Sequence, residues 1–173
     1  MTIAILTGAP GVGKSTAVMR AARTLKDRGL NVGGIVSKEL RTNNIRVGFE
    51  FIDLNTNDTG VLASITGGGP KIGKYFIDLA GCRFAAERLN RAVKNCDVII
   101  CDEIGPMELK SRELTDSVKN LLFVDKNVIV VVHHKLQHPL IEQFKKKSRL
   151  IINLDLENRA KVKQILINRL LDE

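Results

Sequence analysis

The 173-residue chain has no tryptophan, one tyrosine and only 4% aromatic residues in all. Surfaces that stack nucleic-acid bases need exposed rings, and the six phenylalanines lie mostly in apolar stretches that read as core. A base-stacking platform is therefore not expected. Cysteine is equally scarce. Cys82, Cys96 and Cys101 form no C-x-x-C pair, and their odd number argues against a disulfide framework. Cys101 sits inside an apolar run and reads as a core residue. No apolar run approaches the ~18 residues of a membrane span. The sequence opens on strand-like residues without the pattern of a signal peptide, which makes the cytoplasm the expected compartment. Acidic residues are outnumbered 19 to 27, for a formal net charge of +8. That surplus attracts anions. The densest basic cluster is Lys145-Lys146-Lys147 with Arg149. With so few rings to accompany it, the expected anions are nucleotides rather than a nucleic-acid strand.

Gly8-Ala9-Pro10-Gly11-Val12-Gly13-Lys14-Ser15 fits G-x-x-x-x-G-K-[ST], the phosphate-binding loop of nucleotide-hydrolysing and nucleotide-transferring proteins. Its glycines let successive backbone N–H groups converge on one concavity, which suits phosphate oxygens. Lys14 reaches the β and γ oxygens, and the Ser15 hydroxyl is a ligand for Mg²⁺. The flanks agree. The run from Thr2 to Thr7 reads as a buried strand. From Lys14 to Arg28 an apolar stripe of Ala17, Ala21, Ala22 and Leu25 marks an amphipathic helix, and Gly29 ends it.

Strand and helix patterns alternate along the remaining chain, as in an α/β fold with a mainly parallel sheet in a single domain over 1–173. Strands are expected at 32–36, 98–101, 128–132 and 150–152. Helices are expected at 83–94 and 157–171, and the segment 110–122 is helix-like. Between them, the alternating run 47–54, an Asn-Thr-Asn-Asp-Thr-Gly turn and the run 61–65 predict an antiparallel excursion. Gly67-Gly68-Gly69-Pro70 reads as a loop, and 75–79 as a short strand.

The second chemical element is Val98-Ile99-Ile100-Cys101-Asp102-Glu103. An apolar strand ending in a carboxylate brings Asp102 to the C-terminal edge of the sheet, beside the Ser15 position, where it helps hold Mg²⁺. Glu103 is placed to orient or deprotonate an attacking water. The strand 128–132 fits one inserted between the loop strand and the Asp102 strand. His133 at its end either donates to the γ-phosphate and fixes the water, or simply caps the strand with His134.

Asp102-Glu103-Ile104-Gly105-Pro106-Met107-Glu108-Leu109 resembles a segment of the small nucleoside-triphosphatases of thermophiles and animals, the cancer-related nucleoside-triphosphatase type. The resemblance also takes in Gly8 to Thr16, Gly34 with Glu39 and Arg41, Arg46-Val47-Gly48-Phe49, Ile72-Gly73 with Tyr75 and Asp78, and Glu157-Asn158-Arg159. It implies a RecA-like P-loop fold that hydrolyses several nucleoside triphosphates to diphosphates with Mg²⁺. It also implies that Gly8 to Thr16 and Ile99 to Pro106 border the nucleotide. Two positions depart from the family pattern. Lys38 stands where an acid is common, leaving Glu39 as the acidic contributor there. Pro106 stands where Lys is frequent, so a phosphate contact from that position would be lost or would fall to Arg41 or Arg159.

The expected activity is hydrolysis of nucleoside triphosphates with loose base selectivity. Lys14, Glu103 and His133 form the catalytic set, and Ser15 and Asp102 hold the metal. A nucleotide or small-molecule kinase needs a second acceptor site and a water-excluding lid, for which 110–122 is a poor candidate. A nucleic-acid-associated ATPase is the other alternative. A monomer is the default assembly.

Overall fold

Five parallel strands form one side of a single sheet, and four antiparallel strands form the other. The computed structural model describes residues 1–171. In chain order the elements are β1 (Ile3–Gly8), α1 (Lys14–Asp27), β2 (Val32–Thr42), β3 (Ile45–Asp53), β4 (Thr59–Ser64), β5 (Lys71–Ile72) and β6 (Tyr75–Ile77). They continue with α2 (Leu79–Asn95), β7 (Val98–Ile104), α3 (Arg112–Asn120), β8 (Asn127–Val132), α4 (Pro139–Lys147), β9 (Leu150–Leu154) and α5 (Arg159–Leu171). The sheet order is β5-β6-β4-β3-β2-β7-β8-β1-β9.

The central strands read as unbroken apolar runs because both faces are covered. Ile3, Ile5, Ile99, Cys101, Val128 and Val130 pack against α2, α3 and α4 on one side. Ala4, Leu6, Val98, Ile100, Ile129 and Val131 pack against α1 and α5 on the other. β8 pairs in parallel with both β1 and β7, so it is the inserted strand that the sequence suggests. This arrangement brings the C-terminal ends of β1, β8, β7 and β2 to one edge.

The excursion is larger than expected, and the sheet is evenly mixed as a result. β2 runs on to Thr42 instead of stopping at Val36, because its outer half leaves the core and pairs with β3. β5, not foreseen, pairs with β6. α2 begins at Leu79 rather than residue 83. Its first turn hides behind Gly81, where a Cβ would meet the Val61 carbonyl oxygen at 1.6 Å. Asp78 caps it, with Oδ1 accepting from the Ala80 and Gly81 amides at 2.8 and 3.0 Å. Among the described residues no helix is long and apolar enough to cross a membrane.

Candidate active site

β1 leads into the phosphate-binding loop at Gly8, and only glycine fits there. Its φ is +146°, and a Cβ would lie 2.4 Å from the Leu154 carbonyl oxygen of β9. The loop ends at Gly13, in the left-handed region at φ +107°, which precedes α1 without any side-chain cap. The amides of the first helical turn are thus left for a ligand. Lys14 folds back over the loop. Its Nζ donates to the carbonyl oxygens of Gly8 at 2.9 Å and Ala9 at 3.1 Å. These bonds fix the ammonium at the mouth of a cleft of about 700 Å³.

Asp102 is delivered to the same place by β7, where it pairs with Val36 of β2 and Val131 of β8. It is 1% exposed, and neither carboxylate oxygen has a hydrogen-bond partner. The Ser15 hydroxyl and the Ser37 amide are near enough to favour its ionised form without closing to full hydrogen bonds. Burial pushes its pKa up to about 7, Glu103 adds to the rise, and Ser15 and Lys14 oppose it. A buried polar group without a partner calls for an explanation. A lone carboxylate beside a hydroxyl offers the oxygen donors that a hard divalent cation takes. No cluster of three or more His, Cys, Asp or Glu side chains forms a metal cage among the described residues, so phosphate oxygens and water would complete such a site.

Glu103 is the extra residue in the β7–β8 ladder. Asp102 pairs with Val131 and Ile104 with Val132, so the bulge takes Glu103 out of register. Its half-buried side chain lines the cleft. Burial raises its pKa, while Lys14 and His134 pull it down. His133 also lines the cleft, and its N–H extends the β7 pairing by donating to the Ile104 carbonyl at 3.1 Å. Its Nδ1 accepts from the Lys135 amide at 3.4 Å. Burial, then Lys14 and Lys135, lower its pKa, which favours neutral imidazole.

The remaining residues expected at the nucleotide divide cleanly. Pro10, Gly11, Gly13, Lys14, Ser15 and Thr16 line the cleft. Gly8 and Ala9 act from behind by holding Lys14, and Val12 is buried beneath the loop. Within the segment from Ile99 to Pro106, Glu103, Gly105 and Pro106 line the cleft above Asp102. Ile99, Ile100, Cys101 and Ile104 are no more than 1% exposed and do not line it, because a central strand covered on both faces turns those side chains into the core. Glu39 lines the cleft, whereas Arg41 and Arg159 do not. All three cysteines are free and buried, and burial pushes the Cys82 thiol up to about 11.

Sequence reasoning missed two features. Glu108, on a single 3-10 turn at Glu108–Lys110, lines the cleft although it is only 7% exposed. Burial raises its pKa to about 8. Its position between Met107 and Leu109 was the available signal of an acid in apolar surroundings. Arg46, Phe49 and Ile72 line the far wall and come from the antiparallel extension; the family resemblance takes in all three, but their place at the cleft depends on how that extension pairs.

Residues 3–167 match the family model described as NTPase. The chain is 39% identical over 167 residues to the nucleoside-triphosphatase THEP1 of Methanosarcina acetivorans, covering 96% of this chain and 95% of that one. It is 38% identical over 167 residues to that of Methanocaldococcus jannaschii, covering 96% and 95%. The crystal structure of THEP1 from Aquifex aeolicus superposes with a TM-score of 0.84 at 28% identity, over 97% of this chain and 98% of that chain. The solution structure of a human cancer-related nucleoside triphosphatase gives 0.83 at 26% identity, over 100% and 99%.

Proposed function

Because the chain belongs to the NTPase family, whose relatives above are named nucleoside-triphosphatases, we propose that it hydrolyses nucleoside triphosphates to diphosphate and phosphate, with Mg²⁺ and with little preference for the base. The buried, unpartnered Asp102 carboxylate beside Ser15 carries this reading. A carboxylate of that kind is satisfied by a cation, and a P-loop serine supplies the second oxygen. The loose base preference rests on the relatives' name, which specifies no base.

Each residue then has a definable task. The loop amides and Lys14 hold the β and γ oxygens and stabilise charge that grows as the bridging bond lengthens. Lys14 is already oriented by the Gly8 and Ala9 carbonyls, so little reorganisation accompanies binding. Ser15 and Asp102 would hold Mg²⁺, which would supply neutralisation of phosphate charge. Glu103 orients the water and accepts its proton. His133, neutral through burial and the nearby lysines, donates from its ring to the γ-phosphate or the water.

Phosphate release from ATP, GTP, CTP and UTP, with Mg²⁺ and with chelator, tests the proposal. Turnover should be comparable across bases to within about tenfold, should stop with chelator and should fall by about 10²-fold or more in Lys14→Ala. Near-normal hydrolysis by folded Lys14→Ala protein would reject it.

A further inference from the structure

The strand order fixes a direction across the cleft. Lys14 and Ser15 open α1, just past the loop that leaves β1, and Asp102 and Glu103 lie at the end of β7, two strands away from β1. The γ end of a triphosphate held by these residues therefore points towards β7 and, beyond it, towards β2 and β3. The lining residues lie on that side, and none comes from β9 or α5 on the other.

β2 is level with Asp102 at Val36 and then continues to Thr42 before β3 returns. At roughly 3.3 Å per residue, this hairpin projects well past the edge of the sheet. Bulges at Leu40/Arg41 in its pairing, and at Phe49/Glu50 where β3 meets β4, break its register. Arg46, opposite Arg41 near its tip, lines the same cleft as Lys14.

Arg46 is held by several partners. Its Nη1 donates to Glu39 Oε1 at 2.8 Å and its Nε to the Tyr75 hydroxyl at 3.0 Å. Its guanidinium lies 5.3 Å from the centroid of the Phe49 ring, which meets Tyr75 edge-on. Nη2 makes no hydrogen bond to the described residues. The neighbouring cations differ. Arg41 binds the same Glu39 and the Asn44 carbonyl but lies outside the cleft. Lys38 lines the cleft, but its side chain is 66% exposed against 44% for Arg46, and its nearest acid, Glu50, is 4.0 Å away. A braced guanidinium with one nitrogen to spare is the kind of preorganised donor that stabilises developing charge.

We propose that Arg46 is a further catalytic residue, an arginine supplied by the chain itself whose guanidinium contacts the γ-phosphoryl oxygens as hydrolysis proceeds. The assignment rests on the hydrolase reading above. The water oxygen bonds to the γ phosphorus, and the bridging P–O bond breaks with its electron pair staying on the departing diphosphate. The water proton passes to Glu103 and then to solvent. Arg46 neither gives nor takes a proton.

The test compares wild type, Arg46→Ala, Arg46→Lys and Arg41→Ala in single-turnover hydrolysis. It adds the affinity for Mg²⁺ nucleoside diphosphate with and without aluminium fluoride, which mimics the transferring phosphoryl group. Arg46→Ala should slow turnover by about 10³-fold. It should lose the aluminium fluoride complex and hold diphosphate affinity within about threefold. Arg46→Lys should recover only part of the rate, and it decides the matter if Arg46→Ala does not fold. Arg41→Ala should stay within about threefold of wild type. Wild-type rates in either Arg46 variant would overturn the assignment. So would an equal loss in Arg41→Ala, which would locate the effect in the Glu39 ion pairs. A wild-type chain that releases no phosphate sinks the hydrolase reading itself, and this assignment with it.

Discussion

Glu103 stands between opposing influences, since burial raises its proton affinity while Lys14 and His134 lower it. Replacing it by Gln keeps its size and removes its charge. In Glu103→Gln, single-turnover hydrolysis should slow by about 10²-fold or more. Triphosphate affinity should hold or tighten, since one negative charge beside the γ-phosphate is gone. Binding and chemistry falling together would instead mark a structural role. Glu108 makes a different prediction. Its folded pKa, about 8, lies above the ordinary 4.5, chiefly through burial. Between those values the native state holds more protons than the unfolded chain, so this group's contribution to stability falls as pH rises. Asp102 acts with the same sign up to about 7 and is common to both proteins compared. Thermal unfolding without nucleotide or metal should therefore show Glu108→Gln gaining on wild type from pH 5 to pH 8. Parallel profiles would show that Glu108 ionises freely.

The elements around the site are built for position. β1 and β9 approach so closely at Gly8 that a methyl group does not fit, which fixes where the loop leaves the sheet. α1 starts without a side-chain cap, and α2 starts with one. The difference is functional, because the open terminus faces the cleft and the capped one supports the antiparallel extension. Asp78→Ala should cost about 1 kcal/mol of stability, the usual scale for an N-cap, and leave turnover unchanged. Chemical denaturation beside a phosphate-release assay checks both halves. A loss of turnover without a loss of stability would mean that α2 has a role in catalysis.

At the scale of the molecule, the +8 charge is spread over structural work as well as the cleft. The three lysines of the basic cluster form the last turn of α4, and Arg149 follows it. There Lys145 pairs with Glu142 at 2.8 Å. Lys147 donates to the Leu122 carbonyl at 2.9 Å and lies 4.2 Å from the centroid of the Phe123 ring. Two of the cluster's four cations are thus engaged by the fold, and single-stranded RNA or DNA should not raise turnover. A salt-sensitive stimulation would instead favour a nucleic-acid-associated ATPase. Ligand binding should also stabilise the whole domain by mass action. Mg²⁺ nucleoside diphosphate at about 100 times its Kd adds about 2.7 kcal/mol. Lys14→Ala should lose most of that gain in a thermal-shift titration at the same concentration.

The local chemistry was determined by the sequence alone. A loop of glycines ending in Lys14-Ser15, and an apolar strand ending in Asp102-Glu103, are short-range patterns whose meaning depends on backbone geometry and burial. The parallel core was legible for the same reason, since strands covered on both faces must be apolar throughout. Tertiary structure decided what those patterns meet. β9 closes the parallel edge beside β1 through pairings of residues more than a hundred positions apart, such as Ala4 with Leu150. β2 ran past its apolar half because β3 was there to pair with it. Arg46 reached the cleft from the tip of that hairpin, and Glu108 became a buried acid only when the turn after β7 closed over it. Long-range pairing and burial are properties of the assembled sheet, and no window of sequence contains them.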